Sequence, residues 1–251
     1  SSFNQEYGEF IATAEDVKSL KVMMDLEQLI GREITWVRDM SFDDVISIPG
    51  KTRLPGKFFR YCTQKMKIEA LFKWWFHEIG VKCKMRIGFR FDEFNRMIKF
   101  FNNTNPTEYK FPISCKNYGN KNQKHKTFNW RHVEMPLIKD GITKDVVNDF
   151  WDNEQTFGSG LFEEKRKIEF PVFSNCKGCF WKDEAVIAAE AEMNPEVIRW
   201  FAKQETKGNG IWRDDGITYQ DILDNPHKYG KEKIFEARMG ISSCDSEGCT
   251  A

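Results

Sequence analysis

The sequence predicts an α/β protein, a parallel sheet with flanking helices, followed by a mainly helical, cysteine-bearing C-terminal part. Two observations carry this. A strand, a helix and a second strand fit within the first forty residues, which is the pattern of a βαβ unit and hence of parallel pairing. Beyond Phe157 the pattern changes, and Cys176-Lys177-Gly178-Cys179 leads into helical patterns. Residues 1–155 and 156–251 therefore read as two parts.

The first part begins with a short strand from Ser2 to Glu6. Thr13-Ala14-Glu15-Asp16 carries helix-start chemistry, with Thr13 as N-cap and acids in the first turn. Val17, Leu20, Met24 and Leu26 to Leu29 recur at helical spacing up to Gly31, a C-terminal stop. Glu33 to Arg38, rich in β-branched and aromatic residues, reads as the next strand. Residues 41–60, with Pro49-Gly50 and Pro55-Gly56, read as a loop-rich connection. Thr63 to Ile79 is a predicted helix with Ile68, Leu71, Trp75 and Ile79 on one face. Cys83 to Phe89 and Trp130 to Leu137 have strand character, separated by a polar, aperiodic insertion from Asn102 to Trp130. Thr143 should cap a helix running to Trp151. In the second part, helices are expected over Lys182–Met193 and over Pro195–Glu205, the latter with proline in its first turn.

Bulk properties narrow the function classes. At 251 residues the chain can bury a substantial core without disulfides. Lys plus Arg equals Asp plus Glu at 38 each, so overall charge does not point to nucleic acid or an anionic membrane. No apolar run approaches the ~20 residues needed to span a bilayer, and no membrane partner is expected. Ser1-Ser2-Phe3-Asn4-Gln5-Glu6 has none of the features of a signal peptide. Seven cysteines is an odd number, leaving at least one thiol outside any full disulfide set. A reducing, cytoplasmic setting fits, and there paired cysteines read as metal-binding or redox sites.

The spacing of Cys176 and Cys179 lets both sulfurs face one ion from a tight knuckle. Metal or cluster binding, redox pairing and coincidence all remain open on spacing alone. Cys62, Cys244 and Cys249 could supply the further thiolates of a zinc or 4Fe–4S site, whereas Cys83 and Cys115 read as packing or incidental thiols. Arg60, Lys65 and Lys67 surround Cys62 at a predicted helix start. That basic group suits a phosphate or sulfate and would depress the Cys62 pKa, or else it is a solvated basic face. Arg90, Asp92, Glu93 and Arg96 could hold part of an anionic or ribose-bearing ligand, or form a surface ion-pair network. No histidine spacing suggests a hydrolase triad.

Several stretches, in order, resemble one family. Arg60-Tyr61-Cys62-Thr63-Gln64-Lys65-Met66-Lys67 resembles the "R-x-C-T-x-x-x-K" segment of phosphoadenosine phosphosulfate (PAPS) reductase-like proteins. Ile87-Gly88-Phe89-Arg90-Phe91-Asp92-Glu93-Phe94-Asn95-Arg96 is similar to their "I-G-x-R-x-D-E-x-x-R" strand end. Met135-Pro136-Leu137, Gly141-Ile142-Thr143-Lys144-Asp145-Val146 and Phe150-Trp151 resemble their "P-L … I-T-x-x-D-V-x-x-F-W" segment. Cys176-Lys177-Gly178-Cys179-Phe180 and the Cys244–Cys249 ending resemble the downstream cysteines of some members, especially phage-encoded and DNA-sulfur-modification relatives.

The resemblance implies an adenine nucleotide alpha-hydrolase-like fold and a substrate of adenine-nucleotide or phosphosulfate type, bound by Arg60, Lys65, Lys67, Arg90, Asp92, Glu93 and Arg96. It further implies a 4Fe–4S cluster on Cys62, Cys176 and Cys179, with Cys244 or Cys249 as fourth ligand and Cys249 favoured as nucleophile; zinc is the runner-up. Sulfur reduction or transfer with a thiol electron donor follows, in a homo-oligomer in the cytoplasm, of the host where phage-encoded. The family's opening Ser-Gly-Gly-Lys-Asp-Ser-type phosphate loop has no counterpart here; truncation at the start is the expected reason, ahead of a phosphate-binding half supplied elsewhere or a loss of nucleotide chemistry. Two rival readings use the same residues. One is a binding or assembly protein with a structural metal site. The other is a subunit of a nucleic-acid sulfur-modification system whose insertion, residues 116–126, touches the backbone.

Overall fold

A computed structural model describes residues 3–4, 9–10, 16–49, 53–56, 59–103, 105–112, 124–160, 163–171, 173 and 176–238. The fold is mixed α/β, with helices predominating over four two-stranded sheets among the described residues. The chain divides into two units, each built from stretches distant in sequence. One comprises Ser1–Asp25, Arg38–Ala70 and Glu169–Ala251, the other Leu26–Val37 and Leu71–Ile168.

The core of the first unit forms around the helix Glu184–Met193. Ala185, Val186, Ile187, Ala188, Ala189 and Ala191 are all buried, so this helix is apolar nearly all round and must be enclosed. Asp183 caps it, its carboxylate accepting the Ala185 N–H at 2.9 Å, which places the start two residues later than the sequence suggests. Pro195 opens the next helix, Pro195–Gln204, whose Trp200 and Phe201 pack with Phe42, Phe180, Trp212 and Tyr219. Phe42 enters this core from a helix, Phe42–Ile46, within the stretch expected to be loop. A reciprocal cap makes so short a helix stable: Asp44 N–H donates to Ser41 Oγ at 3.1 Å, and Ser41 N–H donates to Asp44 Oδ2 at 2.9 Å.

The expected N-terminal βαβ unit does not form. Phe3–Asn4 pairs antiparallel with Glu9–Phe10, and residues 33–40 adopt no strand. Trp36 is 53 % exposed, so the β-branched and aromatic residues of that stretch find no neighbouring strand to pack against. The helix between them is present as Val17–Ile30. Its first turn is satisfied by Asp16, which accepts the Lys18 N–H at 2.7 Å, and the chain leaves it through Gly31 at φ 61°. The expected cap, Thr13, lies outside the described residues.

In the second unit parallel pairing is present on a small scale. Cys83–Arg86 pairs in parallel with Arg131–Glu134. The insertion expected to be aperiodic instead contributes an antiparallel pair, Glu108–Pro112 with His125–Asn129. Its aromatic residues explain the gain: Tyr109 lies opposite Phe128, and both close over Phe72, at ring-centroid distances of 4.6 and 5.4 Å. Phe111, Trp75 and Trp130 complete the cluster around Phe72, which is 0 % exposed.

The predicted helix 63–79 is present as a continuous helical run with two widened segments. Tyr61–Thr63 leads into π turns over Gln64–Glu69, Ala70–Trp74 is α-helical, and Trp75–Ile79 is π again. The i→i+5 bonds rotate the downstream side chains. The buried residues are accordingly Glu69, Ala70, Phe72 and Trp75, while Ile79, expected on the buried face, is 37 % exposed. Among the described residues no helix is long and apolar enough to cross a membrane.

Phe72→Ala should cost about 3–5 kcal/mol, the range for emptying a buried aromatic site. Chemical unfolding followed by circular dichroism measures this, and a loss below about 1 kcal/mol would contradict the packing described here.

Candidate functional site

Cys176 to Cys179 lies in the first unit, just ahead of the buried helix. Both cysteines are half-buried while Gly178 between them is buried. Gly178 takes φ 61°, and a Cβ there would sit 2.6 Å from the Phe201 ring, so both the turn and the space demand glycine. Each backbone polar group of Gly178 has a partner from a different element. Its N–H donates to Glu190 Oε2 at 2.8 Å, and its carbonyl accepts the Tyr219 hydroxyl at 2.6 Å. The carbonyl of Cys179 accepts the Lys182 N–H at 3.0 Å.

Glu190 is 2 % exposed inside an otherwise apolar helix, and its other oxygen accepts a hydrogen bond from the equally buried Lys182 ammonium. The pair neutralises two charges that would be prohibitive singly. Lys182 is held in turn by Arg213, whose guanidinium donates to the Lys182 carbonyl at 2.8 Å and pairs with Glu184 and Asp215. Burial, with Cys179 nearby, holds the Tyr219 phenol well above its ordinary pKa, so it remains a neutral donor to Gly178. Glu205 closes the network by accepting the backbone N–H groups of Trp212 and Tyr219 at 3.2 and 2.9 Å.

None of these supporting residues was singled out from sequence. One signal was legible: Glu190 is an acid within the run Ala185–Ala191, where a buried apolar helix leaves no place for an unpaired charge.

The other expected site residues are placed as follows. Cys62 packs against the aromatic core of the same unit. Burial pushes its thiol pKa up, against the opposing charge of Arg60, which corrects the expectation of a depressed value. Desolvation outweighs the opposing guanidinium, which lies over the Trp181 ring, 5.1 Å from its centroid. Lys65 forms an ion pair with Glu69 at 2.6 Å, and Lys67 is exposed. Cys83 donates weakly to the Trp130 carbonyl at 3.8 Å and packs beside Phe72, in keeping with a packing thiol. Each of the four described cysteines carries a thiol rather than a disulfide. Cys115, Cys244 and Cys249 lie outside the described residues. Among the described residues no three His, Cys, Asp or Glu side chains converge as a metal-binding group.

Arg90, Asp92, Glu93 and Arg96 come together in the second unit as an ion-pair network. Arg90 contacts Asp92 at 3.1 Å and Glu93 at 3.7 Å, and Arg96 contacts Glu93 at 2.5 Å. Asp92 also accepts the Lys144 N–H at 3.1 Å, so it caps the helix Lys144–Asp152. Thr143, the expected cap, makes no side-chain hydrogen bond there. The Arg90 hydrogen bonds hold the Asp92 carboxyl below its ordinary pKa.

No family model matches the chain, and no curated protein or solved structure matches it.

Asp92→Ala should destabilise the second unit by about 1 kcal/mol, the usual cost of losing a helix cap. The sign with pH follows from the lowered pKa: the Asp92 contribution is complete above the ordinary carboxylate pKa and fades as pH falls through the lowered value. Wild type and variant should therefore converge in stability in acid. In metal-free protein Cys62 should react with iodoacetamide more slowly at pH 8 than a solvent-exposed thiol, and its rate should still be climbing above pH 9, where an ordinary thiol levels off. Rapid labelling at neutral pH would show that the burial described here does not control it.

Proposed function

We propose that this chain is a PAPS reductase-like protein that binds an adenine-nucleotide or phosphosulfate-type substrate and works through thiol and iron–sulfur chemistry. The observation that carries the reading is the Cys176–Cys179 turn, two partly buried cysteines whose intervening backbone is clamped by buried polar groups. That donor chemistry suits a thiolate-ligated metal, and the clamped turn suits a site that must keep its shape as ligands exchange. Cys62 packs on the same core without converging with the pair, so in this reading it moves in as the third ligand, with Cys244 as the fourth. Bound there, a 4Fe–4S cluster would supply redox-active, thiolate-ligated iron, and zinc would supply structure alone.

The substrate reading rests on the ordered motifs around Cys62, Arg90 and Ile142. In it, Arg60, Lys65, Lys67, Arg90 and Arg96 hold anionic groups, with Asp92 and Glu93 on hydroxyls. The Cys249 thiolate bonds to the substrate sulfur as the bond from that sulfur to the phosphate oxygen breaks, and the nucleotide leaves with the electron pair. One thiol of a donor dithiol then attacks the Cys249 sulfur and breaks its bond to the sulfonate, releasing sulfite; the second donor thiol displaces Cys249 as thiolate and closes the donor disulfide. The adenine nucleotide alpha-hydrolase-like fold is part of the same proposal.

A second reading has its own support. The partners already held by Arg90, Arg96 and Lys65 are those of a structural ion-pair network, which favours a binding or assembly protein with a structural metal.

Anaerobic purification separates the two. A brown protein with a broad absorbance near ~400 nm, lost in Cys176→Ser, is the expected result for thiolate-bound iron. A colourless protein with stoichiometric zinc would eliminate the cluster and leave the structural reading. Adenine-nucleotide affinity, measured by calorimetry, should fall in the Lys65→Ala, Arg90→Ala double variant; unchanged binding removes both residues from the site.

A further inference from the structure

We infer that Glu190, its charge compensated by Lys182, is a positioning residue that holds the Cys176–Cys179 turn and so presets the direction of its thiols for a bound metal. The inference rests on reading the two cysteines as a metal site. The geometry supporting it converges on one residue. Gly178 is buried, left-handed and blocked by the Phe201 ring on the side where a Cβ would project. Its N–H is taken by Glu190 from the following helix, and its carbonyl by Tyr219 from a later one. The next carbonyl along, that of Cys179, is taken by the backbone of Lys182. The backbone bearing the second thiol is therefore constrained on both sides, while both cysteines are only partly buried.

Within that arrangement the carboxylate of Glu190 has a specific task. One oxygen is committed to the Gly178 amide and the other to the Lys182 ammonium, so the ammonium fixes the carboxylate that fixes the turn. Packing alone does not require this chemistry, because buried ion pairs are often replaceable by apolar side chains of similar volume without loss of stability. What an apolar pair lacks is an acceptor for the Gly178 N–H. Groups one step removed from a metal typically account for 10–100-fold in its affinity, through the orientation they impose on the ligands.

The test uses the full chain, metal-free and reduced, titrated with Co²⁺ and followed by thiolate-to-cobalt charge-transfer absorbance. Two double variants are compared, each checked for folding by circular dichroism and thermal melting. Lys182→Met with Glu190→Met removes charge and acceptor together and should still fold, its melting lowered only by the unpaired Gly178 N–H, yet bind Co²⁺ roughly 10–100-fold more weakly. Lys182→Met with Glu190→Gln removes the charges but keeps an amide oxygen for Gly178, and should restore affinity close to wild type. Equal affinity in wild type and the Met/Met variant overturns the positioning role while leaving the metal site intact. Loss of affinity in both variants with unchanged folding overturns it too, because the charge rather than the acceptor then matters. A wild-type chain that binds no Co²⁺ through thiolates overturns the metal reading itself, and this inference with it. Should the Met/Met variant not fold, Tyr219→Phe deletes only the hydroxyl that holds the Gly178 carbonyl and must weaken Co²⁺ binding in the same assay.

Discussion

A carboxylate inside an apolar helix is an electrostatic problem that the surrounding chain must solve, and in this protein the solution shapes the first unit. Glu190 sits among alanines and branched aliphatics that exclude water, so it requires both a cation and a backbone donor. Lys182 supplies the first and the Gly178 amide the second. Meeting that requirement brings the cysteine turn against the helix. Lys182 then needs its own backbone placed, which Arg213 does from the loop ahead of the helix Tyr219–Asp224. Glu205 and Tyr219 knit the same loop to the aromatic core. A chain of buried polar contacts thus runs from helix to turn to loop, every member satisfied by another.

The two clusters of charge have different physics. The buried pair under the cysteines lies in low dielectric, where losing one partner leaves an uncompensated charge. The Arg90–Asp92–Glu93–Arg96 network is partly open to solvent, where ion pairs contribute little individually. Its structural value lies in Asp92, which joins the residues after the parallel strand to the start of the Lys144–Asp152 helix.

Elements with a local cause were legible in the sequence. The helix ending at Gly31, the parallel strands Cys83–Arg86 and Arg131–Glu134, the helix after Thr143 and the two helices after Cys179 follow from periodicity and punctuation that tertiary contacts reinforce. Elements with a non-local cause were not. Glu33–Arg38 has strand composition without a neighbouring strand, and the Tyr109–Phe128 pairing depends on Phe72 from a distant helix. The π segments between Gln64 and Ile79 also mix two helical registers, so a single apolar face read straight through that stretch misplaces Ile79. At the candidate site the thiols were legible because the cysteine spacing is conspicuous. Their supports were not, since Glu190, Lys182 and Tyr219 matter through three-dimensional proximity alone.

The discontinuity of the first unit has a consequence for the order of events during synthesis. Phe42 and Leu54 belong to a core whose remaining members begin at Phe173. They leave the ribosome long before the helices that enclose them exist. The Leu71–Ile168 stretch, which carries all of the aromatic cluster around Phe72, is finished first and can condense while its predecessor waits. Such long-range closure slows folding and leaves apolar side chains uncovered for the interval. The cysteine turn would then acquire its shape only near the end, when Tyr219 arrives to hold Gly178.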